Sequence, residues 1–265
     1  MTQNLRELST ALDMLEGPAR RSRLAFWGYI CGLFGTVMFS MKAILIKLAY
    51  QPVEGMPENS IDAITLMALR LGFSGPVYVA ILWILVRKVK KAGDSLPPIS
   101  DFLLAALLGM LGYYVCAWLD IQGLKYITAQ LERLILFTYP VFVFILGAMF
   151  FGKPLTRSAV LAIILAYAGI GIIFYGGDIA AGLNVPLGAA MVLTCAFAFA
   201  MFQLLAKPMI KRLGSLMFTC SAMLGAGFMI FTHFFVDNYA GGALDTVWDM
   251  PLRIYALGIA MAFFA

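Results

Sequence analysis

The sequence predicts an all-α membrane protein, a bundle of helices that cross a lipid bilayer. Hydrophobic residues make up 62% of the 265 positions and charged residues only 12%, and a soluble domain of this length could not bury so much apolar surface. The apolar residues form continuous stretches of about 20 residues, the length that crosses the hydrocarbon layer as a helix. A β-barrel would instead have stretches of about 10 residues with alternating polarity.

Eight apolar stretches are predicted to be membrane spans, the last of them incomplete. The first is too long for the central region of a signal peptide and contains two lysines, so we expect it to stay in the membrane. Ahead of it, residues 1–23 place leucines at helical spacing opposite charged positions, which predicts an amphipathic helix on the cytoplasmic membrane surface. The predicted spans are 24–50, 61–86, 102–119, 127–151, 159–175, 187–209, 215–236 and 252–265.

The basic residues alternate between loops in a pattern that predicts the orientation. The N-terminal segment and the second, fourth and sixth loops contain thirteen of the nineteen Lys and Arg residues, whereas the first and fifth loops contain none. The positive-inside rule therefore places the N-terminus and the even-numbered loops in the cytoplasm. Because these charges are scattered over short loops and form no groove, nucleic acid is not an expected partner.

Residues for metal, cofactor or catalytic chemistry are scarce in this sequence. The four cysteines lie inside predicted spans without metal-ligand spacing, so we predict no disulfide and no metal site. His233 is the only histidine and lies at the outer end of the seventh span, which leaves little for a zinc site, a Ser-His-Asp triad or a histidine proton relay. The spans contain no histidine or aspartate pair for acid-base chemistry, so we expect neither an enzyme nor a cofactor. The cysteines are Cys31, Cys116, Cys195 and Cys220.

Weak internal repeats relate each early span to the span five places later. The segment VMFSMKAILIK from Val37 is similar to AMFQLLAKPMI from Ala200, and LLGMLGYY from Leu107 is similar to ALGIAMAFF from Ala256. Because five is an odd number, the two halves would have opposite orientations in the membrane, with a substrate site near the midplane between them. The predicted fold is therefore a helical bundle of two inverted five-helix repeats, residues 24–176 (spans one to five) and 177–265 (spans six to eight).

Several motifs follow one another along the chain. They are FSMKAILIK in the first span, ALRLGF in the second, the connector LKYITAQL, and the run ERLILFTYPVFVFILGAMFFGKPLT followed by AIILAYAGIGIIFYGG. The order of these motifs resembles the drug/metabolite transporter superfamily, in its EamA-type branch of ten-span bacterial permeases. This resemblance implies ten spans in the inner membrane with both ends cytoplasmic. This chain stops inside the eighth span, so we expect the second repeat to be incomplete.

Charged residues inside the spans are the main candidates for the substrate pathway, because a charge in hydrocarbon is expensive unless it pairs or faces water. Lys42 and Arg70 are predicted about 12 Å below the outer end of their spans, at a shared depth that suggests one polar cavity. Glu132 and Arg133 lie near the outer end of the fourth span, where a structural ion pair is an equal alternative. Lys47 is close enough to a helix end to reach the interface by snorkelling.

Aromatic and proline residues extend this candidate pathway. Pro140 shares one helical face with Glu132, and it can free a backbone carbonyl toward a cavity. Asp120 and Lys125 fall in the predicted connector after the third span and are expected at the membrane interface. An amphipathic wall for organic solutes, or alternatively a packing or interface belt, is predicted from Tyr113, Tyr114, Trp118 and Tyr139.

Together these features predict a secondary active transporter that exports small organic metabolites by alternating access. Four intramembrane cations against the single carboxylate of Glu132 favour amino acids or related carboxylates, and burial of that carboxylate suggests proton coupling. A multidrug or nucleotide-sugar permease is the closest alternative, and a non-transporting membrane subunit or sensor is an alternative from another class. The expected partners are a small-molecule substrate and the lipid bilayer, with the protein a monomer or homodimer.

Overall fold

A computed structural model describes residues 18–51, 62–93, 95–152, 157–175, 184–241 and 250–264, and all regular secondary structure in these ranges is helical. These residues divide into two compact units. One runs up to Lys42 and includes Phe264, and the other comprises Ala43–Phe263. The amphipathic helix predicted for residues 1–23 begins outside the described residues.

The described helices follow one another in the order of the predicted spans. Six of the described helical stretches are long and apolar enough to cross a membrane, and the last helix is a shorter apolar one. The prediction of an all-α membrane bundle is confirmed, while its division into two inverted repeats stays a prediction. The helices run Pro18–Ala49, Ala63–Lys91, Ile99–Gly109, a π-helix at Met110–Val115, Cys116–Tyr126, Ala129–Leu136, Tyr139–Phe151, Arg157–Tyr175, Val185–Leu213, Ser215–Gly241 and Leu252–Phe264.

Local capping explains where several spans begin and end. The side chains of Asp62, Thr128 and Asn184 each accept a hydrogen bond from a backbone N–H in the first turn of the second, fourth and sixth spans, which satisfies donors that the helix leaves open. Gly152 ends the fourth span at φ 58° and Gly214 ends the sixth at φ 78°. This left-handed conformation is one that glycine adopts without a steric cost.

The third span is longer than predicted, and this corrects the placement of Asp120 and Lys125. The span comprises the three consecutive helices from Ile99 to Tyr126, so both residues belong to a helix rather than to a connector. Asp120 lies on the same buried face as Cys116 and Leu124, and only 2% of it is exposed. Helical spacing of three or four residues brings it onto that face.

In the first unit, the helix from Pro18 presents large apolar side chains outward. Phe26, Trp27 and Leu33 are each more than half exposed, a pattern that suits contact with lipid rather than with water. The hydroxyl of Thr36 donates to the carbonyl oxygen of Gly32 at 2.8 Å. This bond satisfies a polar group that would otherwise face hydrocarbon.

In the second unit, the third span crosses the seventh span with their backbones in close contact. A Cβ on Gly109 would collide with the backbone of Ala222, and a Cβ on Gly225 would collide with the backbone of Ala106. The four-residue spacing of Ser221 and Gly225 predicts such an approach, because small residues let helices pack closely in lipid.

The third span also packs tightly against the sixth span, nearer its outer end. A Cβ on Gly123 would lie 2.7 Å from Cγ2 of Val192 and 3.2 Å from the carbonyl oxygen of Gly188. Two buried thiols also join these spans, because Cys195 Sγ donates to the Cys116 carbonyl oxygen at 3.1 Å. The third span therefore lies between the sixth and seventh spans at the centre of this unit.

Candidate functional site

A π-helical segment interrupts the third span where it passes between the sixth and seventh spans. It covers Met110–Val115 and contains Tyr113 and Tyr114. Gly112 within it lies against the ring of Phe202, where a Cβ would be 2.6 Å from the ring atoms. Segments of π-helix are rare, and within α-helices they occur frequently at functional sites. The wider turn gives the two consecutive tyrosines different neighbours.

Arg70 and Tyr113 line one small cavity between the second, third and seventh spans. The cavity volume is about 10 Å³, which is room for roughly one water molecule. The remaining lining is apolar. The hydroxyl of Ser74 donates to the carbonyl oxygen of Arg70 at 3.1 Å. Two residues that the sequence predicted for the pathway thus lie together inside the bundle.

Asp120 adds a carboxylate to this part of the bundle. The carboxylate is buried and acts electrostatically on Arg70. The sequence-based count of one carboxylate against four intramembrane cations is therefore wrong, since Asp120 is a second one. Its depth follows from the extension of the third span described above.

A row of aromatic rings connects two of the predicted pathway tyrosines. The ring of Tyr113 meets Phe202 edge to face at 5.3 Å between centroids, and Tyr139 meets Phe199 in the same way at 5.4 Å. Phe199 and Phe202 stack on each other at 6.0 Å. The sixth span thus links the third and fourth spans through aromatic contacts, which are favourable in both edge-to-face and offset-stacked geometries.

Tyr114 points toward the seventh span instead. Its hydroxyl oxygen is 3.0 Å from Nδ1 of His233, and Nε2 of that imidazole is 3.0 Å from Oδ2 of Asp237. The ring of Trp118 lies beside the same imidazole, at 6.5 Å between centroids. The structure therefore separates Tyr114 and Trp118 from the aromatic row that contains Tyr113 and Tyr139.

Several polar contacts lie together where the first span ends, in the second unit. The hydroxyl of Tyr50 donates to the carbonyl oxygen of Ile121 at 3.2 Å, and Lys125 Nζ lies 5.4 Å from the centre of the Tyr50 ring. Burial, followed by the nearby Asp62 carboxylate, raises the pKa of Tyr50 above its usual range, so the hydroxyl stays a donor. Arg253 donates to the carbonyl oxygen of Leu48 at 3.1 Å, and it thereby joins the eighth span to the end of the first.

Glu132 and Arg133 are adjacent in the first turns of the fourth span. Glu132 is fully buried, and its Oε2 is 3.3 Å from Nε of Arg133. This geometry fits both expectations for the pair, a structural ion pair and a buried carboxylate that could exchange a proton.

The fourth span is interrupted beside Pro140. The first helix ends at Leu136 and the second begins at Tyr139, so Glu132 and Pro140 do not share one continuous helical face. Proline has no N–H for the carbonyl of the residue four positions earlier, and its ring clashes there. In this protein that residue is Leu136, at the end of the first helix. The proline therefore breaks the fourth span into two helices.

The two lysines of the first span fall in different units. Lys42 belongs to the first unit and is buried, whereas Lys47 belongs to the second and is only partly buried. The shared cavity predicted for Lys42 and Arg70 stays a prediction.

An open apolar groove of about 830 Å³ runs between the second and seventh spans. Trp83, Phe228 and Phe231 contribute aromatic surface to it. Leu71 and Met223 line both this groove and the Arg70 cavity, so these two side chains separate the two spaces. The groove is large enough for an organic solute or a lipid chain.

Three features of the site were missed at the level of sequence. The π-segment has no known residue pattern of its own, and the burial of Asp120 depends on where the third span ends. The contact of His233 with Tyr114 joins residues that are 119 positions apart. The only local signal was the four-residue spacing of His233 and Asp237, which places both on one helical face.

Long apolar helices with charged side chains buried between them define a multi-pass membrane protein of the transporter class. Residues 26–175 match the EamA-like transporter family, and the chain belongs to that family. The predicted membership of the drug/metabolite transporter superfamily is thereby confirmed. Proteins of this family are transporters by description.

Two curated relatives support the same class. The chain is 25% identical over 240 residues to the uncharacterized transporter YcbK of Bacillus subtilis (strain 168), covering 91% of this chain and 73% of that protein. It is also 25% identical over 243 residues to an uncharacterized transporter of Methanothermobacter thermautotrophicus (strain Delta H), and this alignment covers 89% of this chain and 67% of that protein. The chain also aligns with a protein of known crystal structure, with a TM-score of 0.53 and 16% sequence identity. The alignment covers 89% of this chain and 76% of the other chain, and this likeness supports the fold alone.

Proposed function

We propose that this transporter exports small organic metabolites with a carboxylate, such as amino acids, across the bacterial inner membrane. The observation that carries the proposal is the cavity that Arg70 and Tyr113 share inside the bundle. A guanidinium binds a carboxylate through two parallel, charge-assisted hydrogen bonds, and a tyrosine beside it can contact an organic side chain. We place Lys42 in the same pathway.

The transport cycle follows from the size of that cavity. A space for one water molecule does not admit an amino acid, so the described conformation is closed at this site. Substrate access requires the second and seventh spans to separate around Leu71 and Met223. Alternating access by two inverted repeats, 24–176 and 177–265, would open the cavity to each side in turn.

The charge balance supports an anionic substrate less strongly than the sequence alone did. Asp120 acts on Arg70 and offsets part of its positive charge. The intramembrane cations Lys42, Lys47, Arg70 and Arg133 still outnumber the carboxylates Asp120 and Glu132. A substrate with one carboxylate and one amino group fits this balance, because each of its charges finds an opposite partner.

The apolar groove favours one alternative, a multidrug permease. An aromatic-lined groove of about 830 Å³ would accept a large apolar solute, which enters from the bilayer between the second and seventh spans. A nucleotide-sugar permease would use Arg70 for phosphate instead of carboxylate. A non-transporting subunit or sensor would move no solute. Flux measurements therefore separate it from the amino-acid exporter, the multidrug permease and the nucleotide-sugar permease.

The proposal includes coupling, orientation and assembly. Glu132 is a candidate proton carrier because it is a fully buried carboxylate, and Pro140 with Tyr139 would let the fourth span bend beside it. We place the N-terminus in the cytoplasm on the distribution of basic residues. We propose a monomer or a homodimer as the working assembly.

Solute flux in reconstituted vesicles tests the substrate site. We expect vesicles containing the wild-type protein to move members of a panel of radiolabelled amino acids. Arg70→Ala and Lys42→Ala should each lower that flux about tenfold or more, since a hydrogen bond to a charged group contributes about 1.5–3 kcal/mol. Lys47→Ala is the matched control and should stay near wild type, because its ammonium group reaches the interface.

Two outcomes would contradict this site. Wild-type flux in both the Arg70→Ala and Lys42→Ala proteins would exclude an anion site formed by these residues. Flux of bulky apolar cations with no flux of amino acids would favour the multidrug alternative and the apolar groove.

A further inference from the structure

His233 is held on both sides of its ring by titratable groups. Its Nδ1 is 3.0 Å from the hydroxyl oxygen of Tyr114 in the third span, and its Nε2 is 3.0 Å from Oδ2 of Asp237 on its own helix. The ring of Trp118 packs beside it. Within the described residues, Tyr114 and Asp237 are the titratable groups that contact the ring.

We infer that His233 is a reversible proton-binding site, held between Tyr114 and Asp237 and joined through the π-segment to the Arg70 cavity. The site is separate from Glu132, which is fully buried, whereas the side chains of His233 and Asp237 are 28% and 50% exposed. A proton from outside the bundle can therefore reach the imidazole. The role of the site in transport rests on the proposed function; its binding of a proton does not.

Binding of one proton reverses the hydrogen bond to Tyr114. In the neutral ring, Nε2–H donates to the Asp237 carboxylate, and the Nδ1 lone pair accepts the hydroxyl hydrogen of Tyr114. A proton that binds at Nδ1 makes both ring nitrogens donors, so Nδ1–H donates to the Tyr114 oxygen. The hydroxyl hydrogen then turns to another acceptor, and the Asp237 carboxylate stabilises the imidazolium charge.

The π-segment carries this change toward the substrate cavity. Tyr114 and Tyr113 are consecutive residues of that segment, and Tyr113 lines the cavity with Arg70. A π-segment is a rare local departure from the α-helix that is frequent at functional sites. A donor that becomes an acceptor at Tyr114 alters one of those contacts, one residue away from the cavity wall.

The single histidine makes a direct measurement feasible without any mutation. Protein of this sequence, purified without a histidine tag and labelled with ¹³C and ¹⁵N only in histidine, should give one imidazole signal set by nuclear magnetic resonance. We expect these signals to move reversibly when the pH is lowered, and the neutral form to carry its proton on Nε2. Signals that stay in place at every pH at which the protein remains folded would overturn the inference, as would a neutral form protonated on Nδ1.

Matched variants test the two partners of the ring. Tyr114→Phe should keep the titration but change the Nδ1 chemical shift of the neutral form, because its hydrogen-bond donor is gone. Asp237→Asn should change the Nε2 chemical shift of the neutral form, because an amide replaces the carboxylate that accepts from Nε2–H. Unchanged shifts in these variants would overturn the proposed hydrogen bonds. Thr232→Val on the exposed face of the same helix is the control for nonspecific effects.

Flux at equal pH on both sides of the vesicle membrane separates this inference from the proposed function. With the same amino-acid panel, wild-type flux should vary with pH between about 5 and 8, and His233→Gln flux should not. pH-dependent flux that persists in His233→Gln would overturn the link to transport. Vesicles with no flux at all would overturn the proposed function and, with it, that link, while the resonance measurement would still decide whether the proton binds.

Discussion

Arg70, Asp120 and Glu132 are charged side chains that the fold takes out of water, and each has a different physical setting. Arg70 lines a cavity, Asp120 is buried nearly two helical turns before the C-terminal end of the third span, and Glu132 is paired with its neighbour Arg133. Charges in a membrane interior persist when they pair or serve a pathway. The neighbours of each residue therefore indicate its role in the protein better than its exposure does.

The role of Glu132 can be tested by removing its charge while keeping its shape. If Glu132 carries the coupled proton, Glu132→Gln should abolish solute accumulation driven by an imposed pH gradient, because the amide of glutamine does not bind and release a proton as a carboxylate does. Downhill exchange of solute across the same vesicles should remain. The measurement is accumulation with and without the gradient.

The control for this variant is Asp101→Asn at the inner end of the third span. Asp101 also forms an ion pair, with Nη1 of Arg212 at 3.2 Å, but it lies away from the proposed pathway. Gradient-driven accumulation should survive this change. If accumulation by Glu132→Gln equals that of the wild type, Glu132 is a structural partner of Arg133 and not the carrier.

At the scale of elements, the third span organises the second unit. It meets the seventh span at Gly109 and Gly225, meets the sixth span at Gly123 and Gly188, and changes to a π-helix between these crossings. Backbone contact of this kind leaves no room for a side chain. The two crossings flank the π-segment, which contains Tyr113 and Tyr114.

Adding a side chain at one of these crossings should destabilise the bundle. We expect Gly109→Leu to cost more than the roughly 1–3 kcal/mol typical of core overpacking, because the obstacle is the backbone of Ala222 rather than a movable side chain. The measurement is the melting temperature in detergent, monitored as the loss of monodisperse protein on heating. Gly72→Leu is the control, since open space surrounds a Cβ at Gly72. Equal melting temperatures for the two variants would contradict the close crossing.

Sequence pattern predicted the crossing but not the π-segment, for a physical reason. The small residues Ser221 and Gly225 indicate a close approach of two helices, because small side chains let helix backbones come together. A π-turn has no such requirement, since MLGYYV is equally compatible with an α-helix. It is the packing of Gly112 against Phe202 that accompanies the wider turn.

At the scale of the whole molecule, the distribution of Lys and Arg predicts which side of the membrane each loop occupies. In a cysteine-free background, Gln51→Cys should react with a membrane-impermeant maleimide on intact cells. Ser95→Cys should react only after the cells are opened. Both positions are exposed at span ends, so access to the reagent depends on the side of the membrane alone. The reverse labelling pattern would invert the proposed orientation.

The sequence by itself determined the class and the family of this protein. Hydrocarbon requires long apolar helices with internally bonded backbones, so composition and periodicity predict them reliably, and the motifs in residues 26–175 suffice for the family. Only the tertiary structure decided which polar groups meet. The cavity shared by Arg70 and Tyr113, the burial of Asp120 and the contact of Tyr114 with His233 depend on how separate helices cross, because helix packing brings together residues that local pattern cannot relate.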